Sequence, residues 1–168
     1  MTHMMCHQKL PDGSDEPRAA LIGRVAQKGE GMLGQHIGMT ADGRPRTLMI
    51  FDEASAIEDQ AYETATTWAH RVLVIGNPYP CENFFKKFVK QGDLPRPNGK
   101  GYYRKVIRIK AEDSPNVRYV RAQQSEGVKE EDLDIKTLIP GVIGYPEYSK
   151  RRNTWDKIRQ TVSLDAEF

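Results

Sequence analysis

The chain has 168 residues, 38% of them hydrophobic and 29% charged, with a formal net charge of +2. That length accommodates one domain with a sizeable core, and the charge excludes a strongly basic, histone-like protein, so any nucleic-acid contact must come from local patches. No apolar run approaches the ~20 residues of a membrane span and the amino terminus has no signal-peptide core, so no membrane partner is expected. The two cysteines, Cys6 and Cys81, form no spacing motif and read as reduced thiols.

Residues 1–20 are polar, contain Pro11, Gly13 and Pro17, and read as irregular. A short strand is expected over 21–25, then a glycine-dense loop with Gly29, Gly31, Gly34 and Gly38 around His36. Asp42-Gly43-Arg44-Pro45 marks a turn. An apolar strand over 47–51 runs into Asp52-Glu53. Ser55 with Glu58 matches a capping box, which predicts a helix over 56–70 with Ile57, Ala61, Ala65 and Trp68 on its apolar face. A second apolar strand over 72–76 ends on Gly76-Asn77-Pro78. A short helix over 83–90 carries Phe84, Phe85 and Phe88, and a basic Pro/Gly-rich loop covers 92–101.

Further on, alternation predicts a strand over 103–110. Arg104, Val106, Arg108 and Lys110 would share one face, and Tyr103, Ile107 and Ile109 the other. Residues 117–121 read as another short strand, 124–141 as an acidic, loop-rich segment with a short helix near 129–138, and 145–152 and 156–162 as helices.

The chemistry is concentrated at the two strand ends. If the strands are parallel neighbours, their carboxyl ends share one sheet edge, which is where open α/β sheets bind ligands. Asp-Glu at such an edge is the arrangement of nucleotide hydrolases: the Asp binds the magnesium of a triphosphate and the Glu polarises the attacking water. Asn77 before Pro78 suits an ordinary turn cap; opposite Asp52-Glu53 it is also placed to sense a terminal phosphate.

The motifs Gly34-x-His36, Thr47-Leu-Met-Ile-Phe-Asp-Glu-Ala-Ser55, Leu73-Val-Ile-Gly-Asn-Pro78 and Phe84-Phe85 resemble the ATPase domain of the large terminase subunit of tailed bacteriophages. Gly144-Tyr-Pro-Glu-Tyr148 and the closing Leu164-Asp-Ala-Glu-Phe168 look like the segment before that family's nuclease domain. The resemblance spans about residues 21–168. It implies an α/β fold of the P-loop-NTPase type (RecA-like, additional-strand), a mostly parallel sheet flanked by helices, with a small lid or linker region at the C-terminal end. Residues 21–122 would be the later part of the ATPase core and 123–168 the lid or linker.

The resemblance makes Asp52 the magnesium ligand, Glu53 the catalytic glutamate and Gly76-Asn77-Pro78 the coupling motif. Asp52, Gly76, Gly34 and His36 would contact nucleotide, and Arg44 or Arg46 would be the arginine finger. The implied cofactors are ATP and Mg2+. The implied partners are double-stranded DNA, a portal protein and the small terminase subunit, with the motor a homo-oligomeric ring in the host cytoplasm.

Two family features are missing from these residues. There is no Gly-x4-Gly-Lys-Ser/Thr phosphate loop, since the Gly99-Lys100 pair is followed by Gly101 and comes after the coupling motif. The acidic cluster of a nuclease domain is also not present, so the expectation is a fragment of a longer motor, inactive alone. A helicase-like ATPase and a non-catalytic DNA-binding remnant are the alternatives.

Arg96, Lys100, Arg104, Lys105, Arg108 and Lys110 form a run with no acid between Leu94 and Ala111, a density suited to phosphate contact. His3, Cys6 and His7 are too few ligands for a structural zinc.

Overall fold

The computed structural model describes residues 2–9, 11–23 and 47–168. The chain divides into two compact units, residues 1–47 with 58–70, and residues 48–57 with 71–168.

In the first unit, β1 (Thr2–Lys9) and β2 (Asp15–Gly23) pair antiparallel, from Thr2 opposite Gly23 to Lys9 opposite Asp15, with a bulge at Cys6/His7. The amino-terminal segment is therefore a hairpin rather than irregular. Its reversal carries Asp12-Gly13, a hairpin signal in its own right: Ser14 N and Oγ donate to Asp12 Oδ1 at 2.9 and 2.6 Å, and Gly13 takes φ 85°.

Helix α1 (Asp59–Thr66) is shorter than the 56–70 expected. The chain spends Ala54–Ala56 on a 3-10 turn, and the predicted capping box does not form, since Glu58 is the N-cap and offers no side-chain bond. At the other end Thr66 and Thr67 turn their hydroxyls back onto the Glu63 and Thr64 carbonyls, and the helix stops. Thr47 Oγ1 then meets His70 Nδ1 at 2.5 Å and accepts from His70 N at 3.0 Å.

The second unit holds the parallel pair. Strand β3 (Leu48–Phe51) lies beside β4 (Arg71–Val74), with Phe51 opposite Val74. The ladder continues past both strands, Ile75 N donating to Phe51 O at 2.8 Å and Ala54 N to Ile75 O at 3.0 Å. Residues paired in a parallel ladder share a face. One face carries Phe51, which is buried, with Met49, Val72 and Val74 half-buried; the other carries Leu48, Ile50, Leu73 and Ile75, each about half exposed.

Phe51 packs on Phe84 of α2 (Phe84–Gln91), ring centroids 5.9 Å apart, and Phe84 packs in turn on Phe88. A short antiparallel hairpin follows, β5 (Leu94–Pro95) with β6 (Tyr102–Arg104). Strand β6 stops at Arg104 rather than running to 110, because the Val106 amide is taken by the Asp93 carboxylate at 2.8 Å instead of a ladder partner.

Residues 117–121 are helical, not a strand. They belong to α3 (Pro115–Ser125), which opens with Ser114 at the N-cap and Pro115 at the first position, and its buried Val117 and Val120 have helical spacing. Residues 129–138 contain only a 3-10 turn, Glu130–Asp132. Helices α4 (Tyr145–Thr154) and α5 (Lys157–Ser163) lie close to the helices expected over 145–152 and 156–162.

Buried Asn116 fixes the intervening loop. Its Nδ2 donates to the Ile139 and Val142 carbonyls and its Oδ1 accepts from the Leu138 and Ile139 amides. The fold is mixed α/β, with a small parallel pair and helices. Among the described residues no helix is long and apolar enough to cross a membrane.

Candidate functional site

Parallel pairing in this register brings the two polar strand ends to one edge. Asp52 and Glu53 leave β3, and Gly76 and Asn77 leave the extended end of β4. Asp52, Glu53 and Asn77 are all exposed. Asp52 Oδ1 accepts from the Glu53 amide at 2.9 Å, which orients that carboxylate.

Glu53 has φ 53° and ψ 44°, the left-handed conformation, as the N-cap of the 3-10 turn. Apart from glycine, such a backbone is strained for most residues, and long side chains such as glutamate visit it rarely. At Gly76 the constraint is space: a Cβ built there would lie 2.9 Å from the Ala54 amide nitrogen and 3.4 Å from Phe85 Cε1. The two strand-end loops thus approach closely where no side chain intervenes.

Asn83 holds this turn from the other side. Its Nδ2 donates to the carbonyls of Ala54 at 2.9 Å and Ile57 at 2.7 Å, with a longer contact to Ser55 at 3.3 Å. Its Oδ1 accepts from Phe85 N at 3.2 Å and Lys86 N at 3.5 Å, capping α2. Sequence reasoning placed Asn83 only as a helix start. An asparagine at an N-cap is a local signal, but nothing local signals donor bonds to residues 26–29 positions earlier.

Magnesium is usually bound by one or two carboxylates together with phosphate oxygens and water. Among the described residues there is no cluster of three or more His, Cys, Asp or Glu able to hold a metal. Asp52 offers one exposed carboxylate at this edge, its Oδ1 on the Glu53 amide, which is a single ligand and not a protein cage. Gly34, His36, Arg44 and Arg46 lie outside the described residues, as do the side chains of His3, Cys6 and His7.

The predicted basic run is not one uniform surface. Arg104 is half-buried, its Nε donating to the Gly92 carbonyl at 3.0 Å and its guanidinium 4.7 Å over the Phe88 ring. Lys105 pairs with Asp93 at 2.5 Å, and Lys110 lies 3.8 Å from Glu112. The bond from Lys105, with the Val106 amide, holds the Asp93 carboxyl below its ordinary range and raises the Lys105 ammonium. Arg96, Lys100 and Arg108 have no carboxylate partner among the described residues; Arg108 donates to the Val89 carbonyl at 3.1 Å.

A cavity of about 350 Å3 between α3 and α4 was not foreseen; Arg121, Arg152, Tyr145, Tyr148 and Glu112 are among the residues lining it. Its charges are mutually satisfied, Arg121 by Glu112 at 3.0 Å and Arg152 by a two-pronged bond to Asp165.

No protein family, curated protein or solved structure matches this chain.

Proposed function

We propose that this chain supplies the metal-and-water side of an ATPase site in a DNA-packaging motor of the terminase large-subunit kind, on part of a RecA-like, additional-strand sheet. One observation carries the reading: the in-register parallel pairing of β3 and β4, which puts Asp52-Glu53 and Gly76-Asn77 at a common carboxyl edge. Asp52 would hold Mg2+ with the nucleotide, and Glu53 would orient and deprotonate the attacking water. Asn77 would register the terminal phosphate and pass its loss to the loop leading into α2. When bound, magnesium would neutralise charge on the phosphate oxygens.

The arginine finger, Arg44 or Arg46, and the nucleotide contacts of Gly34 and His36 belong to the same proposal. So do the portal, the small terminase subunit, a homo-oligomeric ring and a host-cytoplasmic setting. A second reading, DNA binding without hydrolysis, is favoured by Arg96, Lys100 and Arg108, which have no carboxylate partner among the described residues, in a sequence without a Gly-x4-Gly-Lys-Ser/Thr motif.

ATP hydrolysis separates the two. General-base catalysis contributes roughly 10²- to 10⁴-fold and only for a correctly placed substrate, so these 168 residues alone should show no magnesium-dependent turnover. Joined to a phosphate-loop segment, the chain should hydrolyse ATP, and Glu53→Gln should abolish turnover while nucleotide still binds. Indifference to Glu53→Gln would remove the catalytic assignment and leave the DNA-binding reading.

A further inference from the structure

We infer that the β5–β6 hairpin is a stacking platform for single-stranded DNA, with Tyr103 as the base-stacking side chain. The inference rests on the reading of this protein as one that acts on DNA, and it assigns the basic segment to an unpaired strand rather than to the double-stranded DNA that the resemblance implies.

The tip is rigid. Arg96 N donates to Gly101 O at 3.1 Å, Gly99 N to Arg96 O at 3.0 Å, and Lys100 N to the Asn98 side chain at 3.0 Å. Gly99 and Gly101 both take positive φ, 68° and 81°, and Pro95 and Pro97 fix φ near the tip. A preformed loop loses little entropy on binding.

On this frame Tyr103 is 66% exposed, too much for a residue that contributes to a core. The Arg96 guanidinium lies 5.4 Å from its ring centroid, leaving much of the ring in water. Tyr102, the preceding residue, is 46% exposed and has the Lys105 ammonium 4.6 Å from its ring. Both rings thus have a cation against them where the β5–β6 register shifts at Tyr103, the one on Tyr102 being shared with Asp93. Lys100, in the tip, adds positive charge without a carboxylate partner among the described residues.

Aromatic rings interleaved with cations are what single strands need. Unpaired bases stack on the rings, and the cations follow the phosphates. Duplex DNA hides its base faces and rewards only the cations. The same surface should therefore prefer an unpaired strand.

The test is fluorescence anisotropy with the 168-residue protein, a labelled 20-nucleotide oligo-dT, the same length of oligo-U and a 20-base-pair duplex, over a salt series. Oligo-dT should bind at least several-fold tighter than duplex. Tyr103→Ala should weaken oligo-dT binding on the order of 10- to 100-fold, with the salt slope unchanged and Tyr103→Phe restoring affinity. Arg96→Glu and Lys100→Glu should instead flatten the slope, by roughly 0.7 per lost phosphate contact on a single strand. Tyr103 is exposed, and an unchanged thermal melt checks that its variants fold.

If duplex binds as well as oligo-dT, and Tyr103→Ala changes nothing while the charge reversals weaken both, stacking is overturned and phosphate contact to duplex survives. Binding confined to oligo-U overturns the DNA assignment. Binding to none of the three overturns this inference and the DNA component of the proposed function, leaving the nucleotide edge to be judged on hydrolysis alone.

Discussion

Replacing Glu53 by glycine should make the protein more stable while removing its proposed catalytic carboxylate. Glu53 sits at φ 53° and ψ 44°, a conformation that costs an L-residue roughly 1–2 kcal/mol. Glycine escapes that cost but gains freedom in the unfolded chain worth roughly 0.4–1 kcal/mol. The difference leaves Glu53→Gly about 0.5–1 kcal/mol more stable. The Asp52 bond to the residue-53 amide is to backbone and survives the change. Glu53→Ala keeps the strain and loses only an exposed side chain, so its stability should stay within about 0.5 kcal/mol of the parent. Urea unfolding of the three proteins, with m-values compared, reads the result. A gain of this size moves the midpoint by about 0.3–0.5 M when m is about 2 kcal/mol/M. If Glu53→Gly is no more stable than Glu53→Ala, the residue is not strained, and its backbone gives no reason to assign it a working role.

Gly76→Ala should destabilise by about 1–3 kcal/mol, the usual cost of overpacking, because its Cβ would press on the Ala54 amide and Phe85; an unchanged urea midpoint would show that the two loops have room to part. Asn83→Asp keeps the acceptor that caps α2 but places a carboxylate against the Ala54, Ser55 and Ile57 carbonyls. Since Asp caps helices as well as Asn, full stability in Asn83→Asp would mean the bonds to the turn contribute nothing; a loss of at least 1 kcal/mol is expected. Asp165 is held below the ordinary carboxylate range chiefly by its bond to Arg152, so the unfolded state takes up its proton first as pH falls. Its contribution should be complete above an unfolded value of about 3.9 and fade as pH drops through the lower folded value. Asp165→Asn should cost about 1.5–3 kcal/mol at neutral pH and progressively less below pH ~4, in urea midpoints compared across the acid limb; a pH-independent cost would refute the linkage.

Elements defined by their own side chains were legible in the sequence. The strand ends at Asp52 and Gly76 follow from apolar runs and the Phe84/Phe85 helix from its aromatic side, and these elements, like the two closing helices, lie close to where the sequence put them. Two failures have a non-local cause. Arg104 looked like one more exposed cation, yet Phe88 and the Gly92 carbonyl, 12 or more residues away, draw it inward. The alternation over 103–110 satisfied a strand pattern, but a strand also needs a neighbour, and Asp93 took the Val106 amide. Val117 and Val120 are β-branched and suggested a strand; Ser114-Pro115 just before them was the helix-start signal that outweighed propensity. The left-handed Glu53 had no sequence signature, because the residue types that announce that conformation are Gly, Asn and Asp.

Glu53, Gly76 and Asn83 acquire meaning when taken together. An ordinary turn after a strand relaxes into whatever backbone its residues favour, and a glycine at position 53 would make this one relax. Instead the strained glutamate is held between a close approach on one side, where Gly76 admits Ala54, and Asn83 on the other. Two well-formed bonds from Asn83, at roughly 0.5–1.5 kcal/mol net each, are of the size needed to offset a left-handed residue at roughly 1–2 kcal/mol. Removing Asn83 should therefore release Glu53 as well as α2. A turn fixed at this cost presents its carboxylates in one arrangement rather than many, which benefits chemistry or recognition and does nothing for stability. Structural need alone would be met more cheaply by glycine, so the strained glutamate favours a working role for the Asp52-Glu53 edge over a mere chain reversal.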